Sequence, residues 1–171
     1  MLFRSASDTR PGEAIRIFRE HLQGSLSEAA VPAPDAPVRI DDLLIHSDGQ
    51  EAKTITSGDP LALTVVFTSL RRLDRPVVHV SIISPEGQTL YAMDIDLADH
   101  GIGSLEGTHR VTASFARIPL LDGRYMVSSR VFDQTASEIA AVRVGRDEFS
   151  VLNPGKAHGV VSLKLESVTA E

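Results

Sequence analysis

Hydrophobic and polar residues alternate along most of the chain beyond residue 37. In the segment LALTVVFTS, the side chains of Leu61, Leu63 and Val65 fall on one side, and those of Ala62 and Thr64 fall on the other. Such a period of two is typical of a strand with one buried face. Comparable segments rich in β-branched residues predict strands at 38–46, 52–57, 60–70, 76–84, 88–95, 108–116, 124–133, 138–144, 147–152 and 159–166. Turn sequences such as Asp48-Gly49 and Asp122-Gly123 separate them, so the pattern predicts an all-β, antiparallel β-sandwich.

The first 37 residues follow a different pattern. In DTRPGEAIRIFREHLQG, the apolar residues Ala14, Ile15, Phe18 and Leu22 share one helical stripe. The following SLSEAAVPAPDAP is rich in Ser, Ala and Pro, as linkers are. The sequence therefore predicts an N-terminal helix and linker at 1–37, followed by a β-sandwich domain at 38–171. Because a single helix cannot bury its own stripe, we expect it to pack on an upstream segment or on a partner.

Tyr125 follows a tight turn in IPLLDGRYMVSSRVFD and is in phase with the inward-facing Val127 and Val131. In immunoglobulin-like sandwiches, a tyrosine at the start of strand F folds its hydroxyl back onto upstream backbone, which is called the tyrosine corner. We therefore interpret Tyr125 as an anchor of the fold and not as a ligand contact.

Composition narrows the functional classes. The net charge of -6 argues against nucleic-acid binding, which requires a basic surface. The chain has no cysteine, so disulfides and thiolate metal sites are excluded. No apolar run has the length of a membrane-spanning helix, and the N-terminus lacks a signal-peptide core. These features fit a protein of the cytoplasm without direct membrane insertion.

Signals for catalysis or cofactor binding are weak. The glycines of GIGSLEG have the wrong spacing for a dinucleotide-binding loop, and Ser104 is not in a nucleophile elbow. Asp94, Asp96 and Asp99 offer oxygen ligands for Ca²⁺, but a solvated loop is the simpler interpretation. A hydrolase with paired carboxylates ranks last, because Asp94 and Asp96 lie in one short segment. We therefore predict no enzyme and no cofactor.

A polar patch on the sheet is the stronger candidate. In PVVHVSIIS, His79 and Ser81 lie opposite the apolar set, and Ser128 and Arg130 lie opposite Tyr125 and Val127. If segments 76–84 and 124–133 are neighbours, these four side chains form one outward-facing patch with several hydrogen-bonding groups. Hydroxyl-rich ligands need such groups, although a merely solvated sheet face would show the same pattern.

The order of several segments is similar to a known family. SDGQEAKTITSGDPLALTVVF, RPVVHVSIISPEGQTLYAMD, RIPLLDGRYMVSSRVFD and FSVLNPGKAHGVVSLKLES resemble the C-terminal carbohydrate-binding domain of polysaccharide-exporting ABC-transporter ATPases of the Wzt type, associated with O-antigen export. GEAIRIFREHL also resembles the helix that follows the ATPase domain in those proteins. The chain has no Walker A sequence, and therefore no ATPase of its own.

The resemblance implies an immunoglobulin-like sandwich that recognises a finished polysaccharide in the cytoplasm, at the inner-membrane transporter, and couples it to export. It implies the ATPase and permease subunits as partners and a homodimer with strand exchange at the C-terminal end. Since the chain has no tryptophan, we expect the glycan to be bound by hydrogen bonds from the patch. The expected glycan-binding residues are His79, Ser81, Ser128 and Arg130, with Tyr91 as an apolar platform.

An alternative function stays open. The same fold serves as a protein-interaction or dimerisation module without glycan binding. The final segment GVVSLKLES alternates apolar and polar residues after the Gly- and Pro-containing NPGKAHG, so it can pair with its own sheet or with the edge of a second copy.

Overall fold

A computed structural model of the chain describes residues 36–133 and 138–161. These residues form two stacked sheets, so the prediction of an all-β, immunoglobulin-like sandwich is confirmed. The predicted N-terminal helix and most of the linker lie outside the described residues. No helix within the described ranges combines the length and the hydropathy needed to cross a membrane.

The strands agree with the alternating segments of the sequence. They are β1 (Val38–Ser47), β2 (Gln50–Glu51), β3 (Thr54–Thr56), β4 (Leu61–Asp74), β5 (Pro76–Ile83), β6 (Thr89–Asp96), β7 (Ser104–Phe115), β8 (Gly123–Asp133) and β9 (Glu138–Leu152), with one 3₁₀ turn at Leu97–His100. Segments 138–144 and 147–152, predicted as two strands, are one strand. Gly145, with a φ of 71°, lies where the pairing with β8 skips residues, so the strand bulges there and continues.

The strand order is β2-β1-β4-β7 in one sheet and β3-β9-β8-β5-β6 in the other. Neighbouring strands are antiparallel, except that β3 runs parallel to β9. Strands β5 and β8 pair directly, as the sequence predicts. The end of the predicted 159–166 strand lies outside the described residues; its beginning makes an isolated bridge between Leu120 and Val161.

Apolar side chains from both sheets fill the space between them. One cluster surrounds Tyr125, Phe149 and Leu61, and a second surrounds Phe67 and Val78. Burial of these side chains from water supplies the main stabilisation of such a sandwich. The residues that alternate with them on β5 and β8 face the other side of the five-stranded sheet, and they include the predicted patch.

Tyr125 forms the predicted corner. Its buried hydroxyl donates a hydrogen bond of 2.8 Å to the carbonyl oxygen of Leu121, and its ring lies 5.7 Å from that of Phe149. Gly123 lies close beside it, since a Cβ at that position would lie 3.2 Å from the tyrosine hydroxyl, a tight contact that only a small shift of the ring would relieve. The interpretation of Tyr125 as an anchor of the fold is confirmed.

The two open sides of the sandwich are closed differently. On one side Arg143 of β9 donates two hydrogen bonds to Asp147, at 2.6 and 2.8 Å, and reaches across to the backbone oxygen of Asp41 at 3.1 Å. On the other side the rings of Tyr91 and Phe115 meet edge to face at 5.1 Å. Charged groups therefore join β9 to β1, whereas aromatic packing joins β6 to β7.

Candidate functional site

The four polar residues singled out in the sequence lie side by side in the structure. His79 pairs with Arg130, and Ser81 pairs with Ser128, across the antiparallel strands β5 and β8. The two serine hydroxyls are 2.6 Å apart, and His79 Nδ1 lies 2.6 Å from Asp94 Oδ1 on β6. We call His79, Ser81, Asp94, Ser128 and Arg130 the polar strip. The sequence predicted that four of its members are neighbours, and the strand register confirms this; Asp94 was not expected among them.

The expected exposure of the strip is wrong for three members. Ser81, Ser128 and Arg130 have exposed fractions of 5, 1 and 4%. The serines are short, and each hydroxyl has the other as its partner, so neither needs water. Burial lowers the pKa of the Arg130 guanidinium, and the nearby negative charge of Asp94 partly opposes that shift. Alternation in a sequence identifies the face of a sheet, but it does not reveal whether that face is solvated.

One end of the strip is more accessible. The Asp94 side chain is 60% exposed, and the His79 side chain that contacts it is 12% exposed. The ring of Phe132 meets the imidazole edge to face, with the ring centroids 6.4 Å apart. The strip therefore presents a carboxylate to solvent, held in place by an imidazole.

Tyr91 lies apart from the strip. It pairs with Ile82, whose side chain is in the core, so Tyr91 lies on the inner face of the sheet, whereas His79 and Ser81 lie on the outer face. Its hydroxyl donates to Met93 Sδ at 3.2 Å, and its ring packs on Phe115. Tyr91 and the strip therefore lie on opposite faces of the sheet, and the role of Tyr91 as an apolar platform for a glycan stays a prediction.

The acidic segment around Asp96 is used by the protein itself. Asp96 accepts hydrogen bonds from the backbone of Ala98 at 2.9 Å and from Arg75 at 3.1 Å, and it thereby caps the 3₁₀ turn. Within residues 36–133 and 138–161, no group of three or more His, Asp or Glu side chains is arranged to hold a metal ion.

A second polar feature was not recognised in the sequence. A cleft of about 560 Å³ opens between β1 and β9, beside the Arg143 bridge, and residues 51–54 line one end of it. The one sequence signal was Gly145, because a lone glycine inside a strand pattern indicates a bulge. The other parts of the cleft depend on side chains from β1, β8 and β9 that come together only in the folded chain. No local sequence pattern reveals them.

Comparison with solved structures gives one similarity that shows the fold and weaker ones that do not. The crystal structure of the C-terminal domain of Wzt superposes with a TM-score of 0.68 at 20% identity, covering 85% of this chain and 99% of that one. A putative beta-galactosidase from Bacteroides fragilis matches with a TM-score of 0.44 at 17% identity, covering 64% of this chain and 17% of that chain. A beta-glucuronidase from Bacteroides uniformis matches with a TM-score of 0.45 at 11% identity, with coverages of 63% and 14%. A comparison with curated proteins found no significant match.

The comparison with family models is more specific than the structural comparison, because it identifies a family and not only a fold. The family model of the Wzt C-terminal domain matches residues 35–163, which spans every strand from β1 to β9. The chain therefore belongs to the Wzt C-terminal domain family, a domain of the ATPase subunit of O-antigen ABC transporters.

Proposed function

We propose that this domain recognises a polysaccharide of the O-antigen type in the cytoplasm and couples it to export, without catalysing a reaction. The observation that carries the proposal is the polar strip, which places hydrogen-bonding side chains from β5, β6 and β8 next to one another in a member of this family.

The exposed end of the strip is the part that meets the sugar. A carboxylate such as Asp94 accepts hydrogen bonds from two neighbouring hydroxyls, which sugars supply in pairs. The hydrogen bond with His79 fixes the carboxylate before the ligand arrives, so less conformational entropy is lost on binding. Ser81 and Ser128 are buried behind this pair and set the position of the strands, while Arg130 adds a positive charge near the carboxylate.

Binding of the polymer contributes to export because it raises the local concentration of the polymer at the transporter. A domain joined to an ATPase subunit holds a bound polymer close to the transporter, so the next step becomes intramolecular. A modest affinity is sufficient for this role, because the polymer must also be released to the permease subunit. This places the domain on the cytoplasmic side of the inner membrane, in contact with the ATPase and permease subunits of the transporter.

The proposal is tested by calorimetric titration with the polysaccharide of the cell that encodes the chain. Asp94→Asn keeps the shape of an exposed side chain but removes its charge, and His79→Gln removes the imidazole that positions it. We expect each variant to bind about tenfold more weakly, as the loss of one or two charge-assisted hydrogen bonds implies. Asp99→Asn, which changes another exposed aspartate nearby on the 3₁₀ turn, is the matched control and should bind normally. Normal binding by both strip variants would place the glycan site elsewhere.

A homodimer is the second candidate, and it is compatible with the first. Leu152, Val160 and Val161 are large exposed apolar residues near the C-terminal segment, where Leu121 N donates to Val160 O at 3.0 Å. An edge that pairs with one strand of its own chain can pair with the same strand of a second copy. We expect light scattering to show a dimer for the full chain and a monomer after deletion of residues 158–171. A monomeric full chain at micromolar concentration would contradict this.

A further inference from the structure

The cleft between β1 and β9 has the size of a small-molecule site. Its volume of about 560 Å³ is within the range of about 300 to 1,000 Å³ typical of ligand pockets. Arg124 and Met126 of β8 line it, and they alternate along the strand with Tyr125, whose side chain is in the core. They therefore lie on the outer face of the five-stranded sheet, as does Ser128 of the polar strip, two residues further on. The cleft continues this face beyond the strip, toward β9 and β1.

The backbone along one wall of the cleft is held in place. Ala52 N donates to the carbonyl oxygen of Ile45 on β1 at 2.9 Å, and Ser150 N of β9 donates to the carbonyl oxygen of Lys53 at 2.8 Å. The segment 51–53 is thereby bonded to both sheets. Its side chains extend from a fixed backbone, so less conformational entropy is lost when they order around a ligand.

The charges of the cleft balance one another. Charged side chains of both signs line it, namely the carboxylates Asp42, Glu51, Asp147 and Glu148 and the cations Lys53, Arg124 and Arg146. Arg143 is bonded to two of these carboxylates and brings the number of cations to four. The cleft therefore has no net charge, and its overall field attracts neither anions nor cations. Arg124 and Glu148 are 3.6 Å apart and both are exposed, a pairing too weak to prevent exchange for a ligand.

The two signs of charge alternate along the chain on each wall. Glu51 and Lys53 are two residues apart on one wall, and Arg146 and Glu148 are two residues apart on the other. An ion that is attracted by one member of such a pair is repelled by the other. A hydroxyl, in contrast, donates a hydrogen bond to a carboxylate and accepts one from an ammonium or guanidinium group. A neutral molecule with several hydroxyls can therefore use both members of each pair, and it loses less hydration energy on entering than an ion does.

We infer that the cleft binds a neutral sugar unit whose hydroxyls donate hydrogen bonds to Glu51 and Glu148 and accept them from Lys53 and Arg146. The uncharged, hydroxyl-rich character of the ligand comes from the cleft itself, whereas its place in an exported polysaccharide rests on the proposed function.

The cleft and the strip lie within reach of one polymer chain. Met126 of the cleft is four residues from Arg130 of the strip along β8, a distance of about 13 Å in an extended strand. A polysaccharide of several sugar units spans this distance. It then contacts the domain at two places, which adds avidity.

The test is an NMR titration of the full, ¹⁵N-labelled chain with the methyl glycosides of glucose, mannose and galactose, and with the uronate and the 2-amino analogue of each, at constant ionic strength. We expect at least one neutral glycoside to cause saturable shifts of the amides at 51–54 and 145–148. Its two charged analogues should bind at least about threefold more weakly, because each brings a charge next to a like charge of the cleft. Equal or stronger binding of a charged analogue, or no saturable shift with any neutral glycoside, would overturn the inference.

Variants of opposite charge distinguish a neutral ligand from an ion. Glu51→Ala and Lys53→Ala should each weaken binding of the best neutral glycoside by about three- to tenfold, because each removes a hydrogen-bonding partner. Glu106→Ala and Arg110→Ala are the matched controls and should bind normally, since both residues are exposed on β7 at the far edge of the other sheet. Tighter binding in one cleft variant and weaker binding in the other would indicate a charged ligand. That result, or unchanged affinity in both cleft variants, would contradict the inference.

The two proposals fail separately. Weaker polymer binding in Asp94→Asn, with normal glycoside shifts at 51–54 and 145–148, would support both sites. Glycoside binding in the cleft without any polymer binding would support the cleft and contradict the proposed function. Polymer binding with no response of these amides to any neutral glycoside would contradict the cleft alone.

Discussion

Strand β8 presents different chemistry on its two faces. On the inner face, Tyr125 is bonded to Leu121, four residues before it. On the outer face, Ser128 is bonded to Ser81, which is 47 residues away. The first contact depends on one turn, and the second depends on the register of the sheet. Local contacts of the first kind can be recognised in a sequence with confidence, whereas contacts of the second kind acquire their burial and their partners only when the fold is complete.

The largest effect is expected on the inner face. Tyr125→Ala removes a fully buried ring and should lower the free energy of unfolding by about 3–5 kcal/mol. Tyr125→Phe keeps the ring and leaves the Leu121 carbonyl without its donor, so it should cost about 1–3 kcal/mol. Urea denaturation measures both, and equal losses in the two variants would contradict the separate roles of ring and hydroxyl.

Arg130→Ala tests the outer face. The sequence predicts a nearly neutral change at an exposed arginine, but the buried side chain in the structure predicts a loss of about 1–3 kcal/mol, because its packing and its charge interaction with Asp94 are removed together. Arg130→Met should recover part of the packing loss. Arg110→Ala on the exposed side of β7 is the control and should stay within about 0.5 kcal/mol of the parent chain. Similar stability of the alanine variants at 110 and 130 would show that the outer face is solvated after all.

Substitution of the paired serines should have a smaller effect on stability, and this effect is specific to the contact between the two hydroxyls. Ser128→Ala leaves the buried Ser81 hydroxyl without its partner and should cost about 1–2 kcal/mol. Replacing both serines by alanine removes the unsatisfied group as well, so the double variant should be more stable than either single one. Additive losses in this double-mutant cycle would mean that the two hydroxyls act independently.

The smallest expected effect is a change in how the stability of the chain depends on pH. Burial raises the pKa of the Tyr125 hydroxyl above its ordinary value of 10.0, and the negative charges of Glu86 and Asp122 act in the same direction. The stabilisation from the neutral hydroxyl is therefore complete below pH 10 and is lost as the pH rises through the folded pKa. Tyr125→Phe should show a flatter decrease in stability above about pH 10. Parallel curves for the two chains would contradict this assignment.

Much of the fold follows from local patterns, and the exceptions have physical reasons. The alternation of hydrophobic and polar residues located most strands, and the turn before Tyr125 identified the tyrosine corner. Both features depend on residues that are close together in the sequence. The division of β9 into two strands was an error caused by Gly145, which produces a bulge and not a turn. The burial of Arg130 and the cleft beside Arg143 depend on residues brought together from distant strands, so the sequence indicated the chemistry of these regions but not their accessibility.

The pairing of β3 with β9 has a consequence for synthesis on the ribosome. Thr54–Thr56 aligns with residues 150–152, so one of the first strands to be made cannot join its sheet until one of the last has been made. Because β9 lies between β3 and β8, the five-stranded sheet stays incomplete in every shorter nascent chain. Contacts between such distant parts of a chain form slowly. Folding of this domain is therefore completed after translation of β9, and chains that terminate before residue 138 should be cleared by proteolysis instead of accumulating.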